Sequence, residues 1–249
     1  MIDFAAAGAV ARITLNRPEK RNAINEQFIG ELMDALERAK FTDGVRVVVL
    51  GAAGQDFCAG MDIKALQETA KADVSQHLES AETLAGLFRS LRSHPHPVIA
   101  AVRGNALGGG SGIATACDVV LAAESARFGY PEVRIGFVPA MVMSLLRRSV
   151  GEKRAFDLLV RGEAISASEA LAAGMITHVY PDAEFEAKTE SYIASLAEKS
   201  ASAIALTKRL LHQIDAIPFD AALAAGVEVN AIARMTEDAR RGFEKFTKK

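Results

Sequence analysis

The stretch VIAAVRGNALGGGSGIATACDVVLA, residues 98–122, decides the fold. Val98–Val102 is a β-branched, apolar run with the length of a buried strand, and residues 119–122 form a second. Between them lies ALGGGSG, residues 106–112, leading into a short helix. Strand, glycine turn, helix and strand in succession point to parallel pairing. Free N–H groups where such a helix starts can hold an anion or a developing oxyanion. Small residues there let a ligand approach the backbone closely.

Upstream, FCAGMD (residues 57–62) repeats the arrangement after VRVVVL (residues 45–50), a strand entered through the turn signal Asp43-Gly44. One such turn is common, but two that converge on a single oxygen suggest acyl chemistry. Residues 9–15 read as a further strand. A helix over residues 26–40 places Ile29, Leu32, Met33 and Leu36 on one face, with Asn25 as its cap. Val74–Ser93 repeats that pattern through Leu78, Ala81, Leu84, Leu87, Phe88 and Leu91, and residues 176–180 read as a late strand. Ser166-x-x-Glu169 is a capping box, and Gly174 stops the helix it starts. Past Asp182 only helical patterns remain, over residues 184–213 and 218–246. The expected organisation is an α/β core over residues 1–182 and a C-terminal helical region over 183–249, a candidate for subunit packing.

The chain has 249 residues, half of them hydrophobic, and a net charge of −2. It can bury a sizeable core, and it lacks the basic excess of a general nucleic-acid binder. No run reaches a membrane span, and MIDFAAAGAVARITL lacks the basic start and long apolar stretch of a signal peptide. Cys58 and Cys117 make no disulfide framework and no metal motif, so a reducing, cytoplasmic setting is expected.

Other readings of the motifs fail on spacing. Gly108-x-Gly110-x-Gly112 is not a dinucleotide fingerprint, and Ser111 cannot head a nucleophile elbow because Ile113 stands where glycine is needed. His77, His94, His96, His178 and His212 show no metal-ligand spacing and no paired nucleophile. Glu132 differs. It follows FGYP and precedes Val133, Ile135, Phe137 and Val138, so it is a carboxylate in apolar surroundings, where burial raises a pKa toward neutrality.

Five segments in order, LNRPEKRNAIN (15–25), DFCAGMDIKAL (56–66), HPVIAAVRGNALGGG (96–110), CDVVLAAESARFGYPEVRIG (117–136) and EALAAGMITHV (169–179), resemble the enoyl-CoA hydratase/isomerase family of the crotonase superfamily. The resemblance covers nearly the full chain. It implies a crotonase-like spiral of ββα turns with a C-terminal helical region, assembled as a homotrimer or dimer of trimers. It implies an acyl-CoA thioester substrate and no separate cofactor, coenzyme A being part of the substrate. By position, the oxyanion-hole donors are the backbone N–H groups of Met61 and Gly109. The coenzyme A region maps near Lys20, Arg21, Ala23, Ala59, Asp62, Ile63 and Lys64, the three basic residues being the candidates for the phosphates.

The chain departs from the family at two places. Hydratases of the family carry two glutamates; here the second is Glu132, and the position of the first is Gly112, counted with the substrate-binding residues. Val138 to Met143 is also bulkier than the family's glycine-rich equivalent. One carboxylate suffices to shift a double bond from a 3-enoyl to a 2-enoyl thioester, whereas hydration divides its work between two. The texture of FGYPEVRIGFVPA nevertheless resembles hydratases, including methylglutaconyl-CoA hydratase-like chains. Hydration of a 2-enoyl-CoA is thus the expected activity, with isomerisation by a single glutamate as a close rival and acyl-CoA binding without catalysis as a third. Gly112→Glu is expected to raise hydration.

Overall fold

The computed structural model describes residues 1–68 and 71–247. In chain order the elements are β1 (Ile2–Ala7), β2 (Val10–Leu15), α1 (Glu26–Phe41), β3 (Val47–Ala52), α2 (Ile63–Glu68), α3 (Val74–Ser93), β4 (Val98–Val102), β5 (Asn105–Leu107) and α4 (Gly109–Ala116). Then follow β6 (Val119–Ala123), β7 (Arg127–Gly129), α5 (Ala140–Ser149), α6 (Glu152–Arg161), β8 (Ala164–Ser166), α7 (Ala167–Ala172) and β9 (His178–Tyr180). Four helices close the chain: α8 (Phe185–Ala197), α9 (Ala201–Ile214), α10 (Phe219–Met235) and α11 (Glu237–Thr247).

A six-stranded sheet runs β1-β2-β3-β4-β6-β9, antiparallel only at the β1–β2 hairpin. The consecutive valines of β3 explain its central place. Val48 and Leu50 face the larger core with Leu32, Leu36, Leu87 and Leu91, while Val47 and Val49 face the other side with Phe185 and Ile193. A strand buried on both faces is apolar without interruption. A small sheet, β5-β7-β8, stands beside the first and carries the glycine-rich segment into α4.

The caps read from the sequence are present. Asn25 Oδ1 accepts from the Phe28 N–H at 2.8 Å. Ser166 and Glu169 form a complete capping box, and Gly174 has φ +79°. Asp73 and Gln76 form a further capping box at the start of α3.

The helical tail differs from its expected form. The pattern over residues 184–213 is two helices, because Ser200 caps a new one by accepting from the Ala203 N–H at 3.1 Å. The pattern over 218–246 also divides, at Thr236, whose hydroxyl accepts from the Ala239 N–H at 3.2 Å. Residues 248 and 249 of the expected helical region lie outside the described residues. α8 covers the back of the sheet. α9 is tied to the core by Lys208, whose Nζ donates to Asp118 at 2.7 Å and to the carbonyls of Leu91 and His96 at 3.1 and 3.3 Å. No described helix is long and apolar enough to cross a membrane.

Candidate active site

The two glycine segments are joined by hydrogen bonds. The Cys58 N–H donates to Asn105 O at 3.0 Å, and the Leu107 N–H to Cys58 O at 2.9 Å, so residues 57–62 extend the edge of β5. Gly60 makes this possible. Its φ is +95°, and a Cβ there would sit 2.9 Å from Leu107 O. On its other side the same segment pairs with Ile24, whose N–H donates to Gly60 O at 2.8 Å while its carbonyl accepts from Asp62 N–H at 2.8 Å. Successive peptide groups of an extended chain point to opposite sides. The Met61 N–H therefore points away from Ile24. Gly109 is the first residue of α4, where the helix supplies no acceptor. Neither N–H has a backbone acceptor among the described residues, and both residues line one cavity of about 250 Å³.

Glu132 lines the same cavity. A 3-10 turn, Pro131–Ile135, presents it directly after β7, with proline at the first position and Gly136 closing the turn at φ +73°. Its Oε1 lies 3.0 Å from where a Cβ on Gly108 would be, so a side chain there would push the carboxylate aside and would also strain a backbone at φ +53°. Oε2 is buried with no hydrogen-bond partner among the described residues. Burial raises its pKa, opposed only by its own backbone N–H. The rest of the wall is largely apolar, including Met61, Ile63, Leu84 and the run from Phe137 to Val142. A carboxyl group whose pKa burial raises thus lines the same cavity as two N–H groups with no backbone acceptor among the described residues.

Gly112 faces a filled space. A Cβ there would lie 2.5 Å from Val142 Cγ1 and 2.9 Å from Phe88 Cζ. The residue types that occupy the room of a second carboxylate are thus a valine and a phenylalanine, neither Tyr130 nor Glu124. Tyr130 is fully buried, and burial raises its pKa strongly. Glu124 is exposed. The expectation that Gly112→Glu alone raises hydration is corrected on this ground: the side chain does not fit unless Phe88 and Val142 give way.

Ala59, Met61 and Ile63 line the cavity; Ala23, Asp62 and the three basic residues do not. Asp62 pairs with Arg17 at 2.9 Å and accepts from the Lys64 N–H at 2.9 Å. Burial is the largest single influence and opposes its charge, but Arg17 together with the backbone N–H groups of Lys64 and Ala65 holds the carboxyl below the usual range. Arg21 is committed to Asp56 at 2.6 Å, and Lys64 lies 3.8 Å from Glu68. Lys20 is exposed and forms no ion pair among the described residues.

The sequence reading missed Arg17, Asn22 and Asp56, which build this corner. Asn22 is fully buried at φ +55°, and its amide donates to Ala53 O and Asp56 O at 2.9 and 2.8 Å. Asp56 accepts from the Asn105 N–H at 3.0 Å, bracing the two glycine segments. The burial of Asn22 is not visible in the sequence, and the long-range pairs gave no signal. Among the described residues no group of three or more His, Cys, Asp or Glu could hold a metal ion.

The family model for enoyl-CoA hydratase/isomerase matches residues 5–249. The chain belongs to this family. Its members act on acyl-CoA thioesters. The chain is 36% identical, over 242 residues, to a Thermus thermophilus protein provisionally named an enoyl-CoA hydratase, covering 97% of this chain and 96% of that one. It is 36% identical over 245 residues to the 2,3-dehydroadipyl-CoA hydratase of Escherichia coli K12, covering 96% and 92%. An enoyl-CoA hydratase from Mycobacterium smegmatis has a similar structure, with a TM-score of 0.94 at 28% identity over 99% of this chain and 96% of that one. The crotonase-superfamily fold of this family member is therefore established.

Proposed function

We propose that this family member stabilises the enolate of an acyl-CoA thioester in the N–H pair of Met61 and Gly109 and moves the proton with Glu132 alone. The observation that carries this reading is the pairing itself: on one small cavity lie two N–H groups with no backbone acceptor and a carboxyl whose buried Oε2 has no hydrogen-bond partner, both among the described residues. The thioester oxygen accepts from both donors, and each well-placed donor lowers the barrier by about 3 kcal/mol. Glu132, ionised, takes the α-proton; the electron pair moves to the oxygen.

The reaction this geometry favours is migration of a double bond from the 3- to the 2-position. The same carboxyl that removes the α-proton returns it at the γ-carbon, and the dienolate waits between the two N–H groups. The filled space over Gly112 supports it, since Val142 and Phe88 leave no second acid to hold a water. A second reading, hydration of a 2-enoyl thioester with Glu132 both holding the water and delivering the proton, is supported by the names of the relatives, among them a hydratase of 2,3-dehydroadipyl-CoA. Coenzyme A would reach the site past Ala23, Ala59, Asp62 and Ile63, with Lys20, Lys64 and, once released from Asp56, Arg21 available for its phosphates. No separate cofactor is needed. We propose assembly as a trimer or dimer of trimers, and a cytoplasmic location.

Incubating the protein with 3-enoyl- and 2-enoyl-CoA in heavy-oxygen water separates the readings. Double-bond migration without oxygen uptake supports the isomerase, and oxygen in the product supports the hydratase. Binding of both esters without turnover leaves the acyl-CoA-binding reading.

A further inference from the structure

A second cavity lies behind the first, between α3, α5 and α9, and is larger at about 1090 Å³. Met141 lines both. Phe88, whose ring covers Gly112, lines the second. Among the described residues Met141 is the one side chain that both cavities share, and methionine is the side chain that most readily changes shape to admit a ligand.

The walls differ in charge. The second cavity is lined by five cations, Arg89, Arg92, Arg148, Lys208 and Arg209, against the carboxylates of Glu82 and Asp215. Arg89 is matched by Glu82 at 3.2 Å, Arg148 by Asp215, and Lys208 by Asp118 at 2.7 Å. Arg92 and Arg209 form no ion pair among the described residues. Arg92 is only partly exposed, and burial together with nearby Arg148 disfavours its charge. Asp215 and Asp118 lie near enough to favour its charge, but neither is in ion-pair contact with it, so its planar fork keeps donors for a further carboxylate.

We infer that the second cavity receives the far end of the acyl chain, and that this end is a carboxylate gripped by Arg92. An ω-carboxylated acyl chain accounts for both walls, its methylenes lying along Val142 and Met141 and its charge beyond them. The inference rests on the thioester reading above and narrows its substrate to dicarboxylic acyl-CoA esters.

Titration calorimetry on the intact protein tests it with saturated esters, so that no turnover is required. Adipyl-CoA and suberyl-CoA are compared with hexanoyl-CoA and octanoyl-CoA. A carboxylated ester is expected to bind about tenfold tighter than its uncharged counterpart, a preference of the size that one charge-assisted pair supplies. Arg92→Gln should abolish the preference without weakening hexanoyl-CoA binding, and Arg92→Lys should keep part of it. Equal affinities in the unmodified protein overturn the inference and leave the thioester reading standing. A preference that survives in Arg92→Gln also overturns it. Failure of all four esters to bind removes the thioester reading and this inference together.

Discussion

Glu132 carries the chemistry proposed for this chain, and its surroundings set how it responds to pH. Burial places its pKa above the ordinary carboxylate value of 4.5. The base form is the ionised one, so kcat/KM rises as pH rises through the raised pKa, and the acid limb of the profile lies above the usual carboxylate range. Glu132→Gln is expected to lower kcat roughly a thousandfold while leaving acyl-CoA affinity intact, and to erase that limb. Unchanged turnover would remove the assignment. The same shift has a cost in stability. A folded-state pKa above the unfolded one favours folding at pH below the unfolded value, and that advantage is lost as pH rises through the folded value.

Gly112 is the second informative residue. Gly112→Glu alone crowds Val142 and Phe88, and is expected to destabilise the fold by about 3 kcal/mol without adding hydration. Combining it with Phe88→Ala and Val142→Ala should restore stability and let solvent oxygen enter a 2-enoyl product. Heat-denaturation curves and product masses check both. If the single variant is as stable as the parent, the space is not closed.

At the scale of elements, length alone did not decide what was legible in the sequence: β9, with three residues, was read as a strand, while β1, with six, and α5 and α6, with ten each, were not. Val74–Ser93 and Val98–Val102 were read with their observed bounds, the first from an apolar spacing that is buried only in its second half and the second from an unbroken apolar run. β5, β7 and β8 went unread: each has three residues, too few for any period. The segments on which the donor and acid are proposed were legible because glycines and a P-E pair mark them locally, while the donor residues themselves came from the family resemblance. Their bracing was not, since Asn22 and Asp56 act on partners distant in the chain. Phe88 was read only as one apolar residue on a helix face, and nothing in α3 announced that it would stand over Gly112.

The attachment of α9 was equally hidden. Lys208 lies in an ordinary helical pattern, yet its amine is buried against one carboxylate and two carbonyls. Lys208→Met would leave Asp118 and both carbonyls without that cation. It is expected to cost about 3 kcal/mol, and to lower the Tm by roughly 6 to 12 °C in a chain of this size. A shift under 2 °C would mean that α9 is held by its other contacts.

Across the whole molecule, apolar surface is distributed unevenly. α10 has no buried residue, and Phe219, Val227 and Met235 on it are 78%, 66% and 73% exposed. A contiguous helical region that hides so little apolar surface within its own chain is expected to meet another copy. Light scattering should give the mass of a trimer or hexamer, and a monomer at micromolar concentration would refute the assembly proposed for the tail.

The ladder that ties residues 57–62 to Asn105 and Leu107 on one side and to Ile24 on the other has a thermal consequence. The spacing of the Met61 and Gly109 donors is held by bonds of the same kind as those of the sheet, with no hinge between them. On warming, turnover should therefore persist until the fold itself melts, and the loss of activity should coincide with the loss of circular dichroism. An enzyme whose donors sat on independent loops would fall silent well before it unfolded.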